Sequence, residues 1–378
     1  MFKKKILVLG STGSVGRQTL EVIDQNRDKF EIVGLVCGSD IDLIEKQSKY
    51  FGVKKVGIAD KNKYKKRKKD WCWGEEEIES MIKSSSAEIV VAAISGAKSL
   101  RPTLAAIESN KDVALASKEV MVLAGKMVME KAAKYSVNLL PIDSEHSAIW
   151  QCLRSGEKKE VEKIILTCSG GPFLKKDQKD FEKIKVEDAL NHPNWKMGPR
   201  ITIDCATLMN KGLEFIEAKW LFGLKDNEIE IVIHPQSLIH SAVQYWDGSV
   251  IAQIGNKDMR LPIQYALSYP QRWPNVFERV NLFENKMEFE KPDLNKFPCL
   301  RYALEAVKTG ESMPIVLNAT DEVAVKLFLD EKIKFNDIPK IIEKTMAKHK
   351  VVKDPDLGKI LEIDEWAREK ALELSGVS

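Results

Sequence analysis

Two carboxylates set two residues apart, Asp143 and Glu145, are the most reactive pairing in this sequence. They follow an apolar run that ends at Pro141-Ile142. On an extended backbone, residues i and i+2 point to the same side. Two carboxylates on one side repel unless a cation or a proton lies between them. Oxygen ligands of this kind suit a hard divalent ion such as Mg²⁺ or Mn²⁺. The alternative is a pair of solvated acids, with Asp143 capping the helix that follows. A second polar island, Asp204 to Glu214, holds Asn210 and Lys211. An amide donor beside a point charge can take a phosphate, although a bare Asn-Lys-Gly also reads as a turn. Glu214 is a third candidate oxygen ligand. Thr167 to Phe173 carries a hydroxyl, two glycines and a proline at a strand end, a turn that can aim successive N–H groups at an anion or simply reverse the chain. His192, Trp195 and Met197 lie in an irregular stretch around Pro193 and Pro199, suited to a lid or to a surface loop held down by its tryptophan.

A different chemistry opens the chain. Gly10-Ser11-Thr12-Gly13-Ser14-Val15-Gly16 follows the apolar strand Lys5 to Leu9 and precedes an apolar helix face at Thr19-Leu20 and Val22-Ile23. Glycines at that spacing permit a tight turn and close approach of a pyrophosphate, and the helix start supplies free N–H groups. A dinucleotide is the predicted ligand. The second strand ends at Gly38-Ser39-Asp40. A carboxylate there suits the ribose diol of NAD, and a small hydroxyl-rich turn leaves room for the phosphate of NADP; spacing leaves the choice open.

These residues need elements to hold them. Through residue 142, short apolar strands alternate with amphipathic helices, which predicts a parallel sheet covered on both faces and a doubly wound Rossmann-like α/β domain over 1–143. From 144 to 275 the texture is more polar, with strands expected at Lys163 to Cys168, Ile201 to Asp204, Ile229 to Ile233 and Val250 to Ile254. This reads as a central α/β catalytic domain with a flap near 189–199. Residues 276–294 read as a linker, and 295–378 as a C-terminal helical bundle.

Composition narrows the function classes. Lys+Arg is 59 against Asp+Glu 56, a net charge of +3, so no global field draws the chain to nucleic acid or anionic membrane. The run Lys61 to Lys69 has seven basic residues in nine, but Glu75-Glu76-Glu77 follows closely, and a solvated loop is the expectation. At 44% apolar and 30% charged the chain is no disordered polymer. No apolar run nears the ~20 residues of a membrane span, and the N-terminal apolar stretch is too short for a signal peptide. A cytoplasmic protein is expected. Its six scattered cysteines have no C-x-x-C spacing and read as reduced thiols.

Taken in order, Gly10 to Gly16, Ala116-Ser-Lys-Glu119, Asp143-Ser-Glu-His146, Ser169-Gly-Gly-Pro-Phe173, His192-Pro-Asn-Trp195-Lys-Met-Gly198, Asn210-Lys-Gly-Leu-Glu214 and His234-Pro-Gln-Ser-Leu-Ile-His240 resemble the 1-deoxy-D-xylulose 5-phosphate reductoisomerase family. Met259-Arg260 and Asn318 to Ala324 extend the likeness. The resemblance implies a metal-assisted rearrangement of a keto sugar phosphate and its reduction by NADPH, with Mg²⁺ or Mn²⁺, or Co²⁺, as the ion. It implies Asp143, Glu145 and Glu214 as metal ligands, and Lys118, Glu145 and His192 as catalytic. Substrate contacts are implied at Lys118, Ser144, Glu145, Ser169, His192, Trp195, Cys205, Asn210, Lys211 and Glu214. Cofactor contacts are implied at Thr12, Gly13, Ser14, Val15, Gly38, Ser39, Asp40, Ser117, Glu119 and Gly198. A homodimer, and no nucleic-acid or membrane partner, complete the implied picture.

The chain departs from the family pattern in three places. Cys205 stands where serine is common, Ser117 where asparagine is usual, and Ser39-Asp40 lacks a basic residue. His240 reads as a structural histidine, and His146 as a brace for the acidic pair. The alternative function is a metal-dependent sugar-phosphate lyase or isomerase without redox turnover; cofactor consumption separates the two.

Overall fold

The computed structural model describes residues 3–61, 71–195, 197–284 and 286–377. Most of the basic run at 61–69 therefore lies outside the described residues. The chain forms two compact units. The first comprises residues 1–120, 126–147 and 258–277; the second comprises 121–125, 148–257 and 278–378.

The first unit is built on seven strands: β1 (Lys4–Leu9), β2 (Phe30–Cys37), β3 (Val56–Ile58), β4 (Trp71–Trp73), β5 (Ile89–Ala92), β6 (Asp112–Leu115) and β7 (Leu139–Pro141). Their order is β4-β3-β2-β1-β5-β6-β7, with every pair parallel. This is the doubly wound sheet read from the sequence. Ile6, Leu7 and Val8 are wholly buried, as are Val90 and Val91, because helices cover both faces of such a sheet. The helices are α1 (Ser14–Asp24), α2 (Ile41–Phe51), α3 (Glu75–Ser84), α4 (Leu100–Ile107) and α5 (Glu119–Tyr135), with α6 (Ser144–Cys152) following β7. Sequence reading missed β4 and α3. Three residues with two tryptophans, Trp71-Cys72-Trp73, carry no period.

The chain leaves β1 toward β2 on one side, then returns to β5 on the other. The end of β1 is thus the switch point of the sheet, where such folds hold ligands. Gly10 sits there.

In the second unit, β8 (Val161–Cys168), β9 (Ile229–Ile233), β10 (Ile239–Tyr245) and β11 (Val250–Ile254) form a mixed sheet in the order β11-β10-β8-β9. Helices α7 (Val186–Leu190), α8 (Pro199–Ala206) and α9 (Met209–Phe222) precede β9. Helix α10 (Arg260–Ser268) belongs to the first unit, and α11 (Pro298–Thr309), α12 (Met313–Leu329), α13 (Asp337–Lys348) and α14 (Leu357–Ser375) form the helical end of the second. All four of these closing helices were legible from 3.6-residue periodicity. Residues 258–277 cluster with the first unit, and the stretch 278–294 with the second, where Glu290 bridges Ile233.

One expected strand is a helix. Ile201-Thr202-Ile203-Asp204 lies within α8. Its β-branched residues favour a strand, but Gly198 caps the segment and Pro199 occupies its first turn. Thr202 Oγ1 donates back to the Gly198 carbonyl at 2.9 Å. Buried Thr202 and Ile203 supply the packing that overrides propensity. None of the described helices is long and apolar enough to cross a membrane.

Candidate active site

The glycine loop is shaped for a close-approaching ligand. Gly10 has φ +81°, and a Cβ there would lie 2.3 Å from the Ala93 carbonyl oxygen. A Cβ on Gly16 would lie 2.1 Å from the Gly10 oxygen. Gly13 caps α1 without a side-chain hydrogen bond, so the first amides of that helix, at Ser14 and Val15, face outward with the positive end of its dipole. Thr12 and Val15 are partly exposed, and Gly13 and Ser14 are exposed. The loop is held from behind by Gln47, which sequence reading overlooked. Its amide donates to the Ser11 carbonyl at 2.9 Å and accepts from Ser11 Oγ at 2.8 Å. A lone glutamine on a helix gives no motif to detect.

Gly38, Ser39 and Asp40 are exposed at the end of β2. Asp40 Oδ1 accepts the Leu43 amide at 3.0 Å as the N-cap of α2, so one carboxylate oxygen is already engaged. Ser117, past the end of β6, donates to the Ala92 carbonyl at 3.1 Å and contacts the Ile94 carbonyl. Its hydroxyl ties the β6 end to the β5 end. Glu119 starts α5 and is buried.

Neighbouring parallel strands explain how Lys118 meets Asp143. Leu115 of β6 pairs with Pro141 of β7, so the residues just beyond both strand ends emerge side by side. Lys118 Nζ lies 2.7 Å from Asp143 Oδ2, and both side chains are largely buried. His146 Nδ1 is 3.7 Å from the same oxygen. Ser144 Oγ donates to Glu145 Oε2. The i, i+2 argument needs correcting, however. The strand ends at Pro141 and Ser144–Cys152 is helical, so Asp143 and Glu145 straddle a strand–helix junction rather than sharing one face of a strand.

In the second unit, the Ser169 turn and the flap segment meet. Gly170 and Gly171 have φ +81° and +69°, which L side chains rarely adopt. A Cβ on Gly171 would lie 2.5 Å from the Cys205 carbonyl oxygen, so glycine lets this turn sit against the end of α8. His192 joins turn to flap. Its Nε2 lies 3.1 Å from Ser169 Oγ, and its Nδ1 accepts the amides of Asn194 at 3.1 Å and Trp195 at 3.0 Å. Burial, helped by the charge of Lys257, lowers its pKa to about 4, so the ring is neutral with its proton on Nε2. Asn194, another residue overlooked, donates to the Pro235 carbonyl at 2.7 Å and receives Lys257 Nζ at 3.1 Å. Trp195 packs on His240, with ring centroids 6.1 Å apart. His240 bonds the Asn256 carbonyl at 3.2 Å, and burial lowers its pKa to about 4, as befits a structural histidine.

The island on α9 is a buried charge cluster. Asn210 Nδ2 donates to Glu214 Oε1 at 2.5 Å, and Lys211 Nζ pairs with Glu214 Oε2. The helix spacing i, i+3 and i, i+4 brings all three onto one face. Lys211 and Glu214 are 2% and 1% exposed, so each ion depends on its partner. Gly212 lets α9 approach α11, since a Cβ there would lie 2.3 Å from Ala303 Cβ. Cys205 is half-buried, and Gly198 is exposed at the start of α8.

A doubly wound sheet with a glycine loop at its switch point, in one chain with paired acids and buried lysines, defines a dinucleotide-binding α/β enzyme. Comparison with known proteins makes the class specific. Family models match as 1-deoxy-D-xylulose 5-phosphate reductoisomerase over residues 6–125, its C-terminal domain over 139–222, and the DXP reductoisomerase C-terminal domain over 254–370. The chain belongs to the 1-deoxy-D-xylulose 5-phosphate reductoisomerase family. A relative of that name from Thermoanaerobacter sp. (strain X514) is 50% identical over 377 residues, covering 97% of this chain and 98% of its own. One from Pelotomaculum thermopropionicum is 50% identical over 374 residues, covering 97% of each chain. The solved Zymomonas mobilis reductoisomerase, in complex with NADPH, matches with a TM-score of 0.93 at 38% identity over 100% of both chains. A DOX-P reductoisomerase in complex with NADPH, fosmidomycin and magnesium matches at 0.91 and 37% identity over 98% of both.

Proposed function

We propose that this protein converts 1-deoxy-D-xylulose 5-phosphate to 2-C-methyl-D-erythritol 4-phosphate, by rearrangement and then reduction with NADPH, in non-mevalonate isoprenoid precursor synthesis. The observation that carries this reading is 50% identity with named reductoisomerases across 97% of the chain.

The residues fit both groups the reaction needs. The crowded Gly10–Gly16 cradle and the uncapped start of α1 suit a pyrophosphate. Thr12, Gly13, Ser14, Val15, Gly38, Ser39, Asp40, Ser117, Glu119 and Gly198 are the proposed cofactor contacts, and bound NADPH supplies the hydride. Two of the three proposed metal ligands, Asp143 and Glu214, each carry a lysine ammonium, which is how carboxylates answer a need for positive charge. Asp143, Glu145 and Glu214 would hold Mg²⁺ or Mn²⁺, an ion that would supply Lewis acidity to the substrate carbonyl and its neighbouring hydroxyl.

The chain's own groups do the rest in this reading. Lys118 Nζ stabilises negative charge developing on substrate oxygen. Ser144 orients the Glu145 carboxylate. Asn210 and Lys211 take the phosphate with Ser169 and Cys205, while neutral His192 donates from Nε2 and sets the Ser169 hydroxyl. Trp195 and Met197 close over the substrate and exclude water from the reactive aldehyde. The domain roles follow: cofactor binding in 1–143, catalysis in 144–275 and a supporting helical end in 295–378.

A homodimer in the cytoplasm is part of the proposal. Edge strand β11 exposes Val250, Ile251 and Ile254 beside Trp246, 68% exposed, an apolar edge of the kind proteins cover. The function is tested by mixing chelator-treated protein with substrate and NADPH and following absorbance as Mg²⁺ or Mn²⁺ returns. Oxidation of NADPH that needs both metal and substrate supports the reading. Substrate consumption without oxidation would favour the lyase or isomerase alternative.

A further inference from the structure

Helix α8 is fixed from behind by a chain of charges. Arg200 on α8 pairs with Glu322 of α12 at 2.9 Å and donates to Asn318 at 3.2 Å. Glu322 also receives Arg368 of α14 at 2.7 Å, and Arg368 holds Asp364 at 2.7 Å. Two more acids lie within this group. Asp204 on α8 is 3% exposed and Asp321 on α12 is fully buried. Arg200 Nε reaches Asp204 Oδ2 only at 3.7 Å. Among the described residues, neither Asp321 oxygen has a hydrogen-bond donor. The thiol of Cys299, on α11, is buried as well, and burial first and then the charge of Asp321 raise its pKa.

The charges do not balance if every acid is ionised. Arg200 and Arg368 are two cations against four carboxyls: Asp204, Asp321, Glu322 and Asp364. Glu322 and Asp364 take the close contacts with arginine. Asp321 is left wholly buried within the field of Asp204 and, among the described residues, with no donor on either oxygen, and two close buried carboxyls are held together by a proton on one of them.

We propose that Asp321 is a positioning residue, which holds one proton against Asp204 and so sets helix α8 for substrate binding. The consequence for the site follows from what α8 carries. Its N-cap, Gly198, lies in the flap segment, and its last turn carries Cys205, whose carbonyl meets Gly171 of the Ser169 turn. Burial first, and then the charge of Asp204, raise the Asp321 pKa well above the usual carboxylate range. The folded acid therefore keeps its proton at a pH where the unfolded chain has lost it. Its contribution is full below the ordinary carboxylate pKa and is lost as pH rises through the folded value. Once both are ionised, two adjacent carboxylates would push α8 from α12 and loosen the phosphate pocket.

The proposal rests on the reductoisomerase reading for its link to substrate, and its test has an arm that does not. Asp321→Asn keeps a donor toward Asp204 and removes the titration. Its KM for the sugar phosphate should match the wild type at neutral pH and should lack the rise with increasing pH expected of the wild type. Asp321→Leu leaves Asp204 buried without that donor and should raise KM about tenfold with a smaller change in kcat. Infrared spectra of the ligand-free protein at neutral pH should show a carboxylic-acid C=O band that Asp321→Asn abolishes. Absence of that band in the wild type would overturn the shared proton whether or not the protein turns substrate over. A band without any pH-dependent difference in KM between wild type and Asp321→Asn would overturn the link to the site.

Discussion

His192 bonds through both ring nitrogens, with Nε2 3.1 Å from Ser169 Oγ while Nδ1 accepts two flap amides. One neutral ring thus couples the Ser169 turn to the segment that carries Trp195. Protonation breaks the two amide contacts, because a cationic ring cannot accept at Nδ1.

The ring's pKa of about 4 therefore has a stability consequence. The folded ring binds its proton less tightly than the unfolded chain, whose histidines titrate near ~6.5. Its contribution is full above that value and is lost as pH falls from ~6.5 through the folded value. Histidine NMR titration of the ligand-free protein should place His192 near 4, and His192→Gln should flatten the unfolding midpoint across that window. A titration near the unperturbed value would contradict the two amide bonds at Nδ1.

Lys211→Ala should weaken substrate binding through the phosphate by ~1.5–3 kcal/mol, as for a charged hydrogen bond. The same change also leaves Glu214 buried without its ammonium. Binding of a dephosphorylated analogue separates the effects: an equal loss there would remove Lys211 from the phosphate pocket.

Glu145→Gln should nearly abolish turnover while NADPH still binds, read by quenching of intrinsic fluorescence. The amide keeps the shape of the side chain but loses the charge proposed to hold the ion. Retained activity at ordinary Mg²⁺ would mean that Glu145 is not a metal ligand.

Gly16→Ala tests the cradle. The added Cβ would meet the Gly10 oxygen at 2.1 Å, which is overpacking against backbone and should cost ~1–3 kcal/mol. Denaturant unfolding measures that cost, and calorimetric titration should show weakened NADPH binding. An unchanged affinity would place the pyrophosphate elsewhere.

Much of the fold was legible because local periodicity and burial agree. Strand β5 and the C-terminal halves of β1, β2 and β6 are apolar runs buried on both faces, and α11 to α14 show one apolar side. Local signal failed where few residues or competing signals decide. The three residues of β4 exist as a strand only because β3 lies beside them. Residues 201–204 favour a strand by type, yet a glycine cap, a proline and a buried face make them helix. The grouping of 258–277 with the first unit leaves no local mark, since it depends on contacts distant in sequence.

The same division holds for the site. Residue type and order alone marked the glycine loop, the acids Asp143, Glu145 and Glu214 and the pair Asn210-Lys211 as candidates, and pointed to the family. Those are properties of chemistry and spacing within a few residues. Only the tertiary structure decided that Lys118 neutralises Asp143, that Lys211 and Asn210 converge on Glu214, and that His192 is neutral. It alone set Asp321 against Asp204. A partner's distance and the loss of solvent set a charge state, and neither exists until the chain has folded.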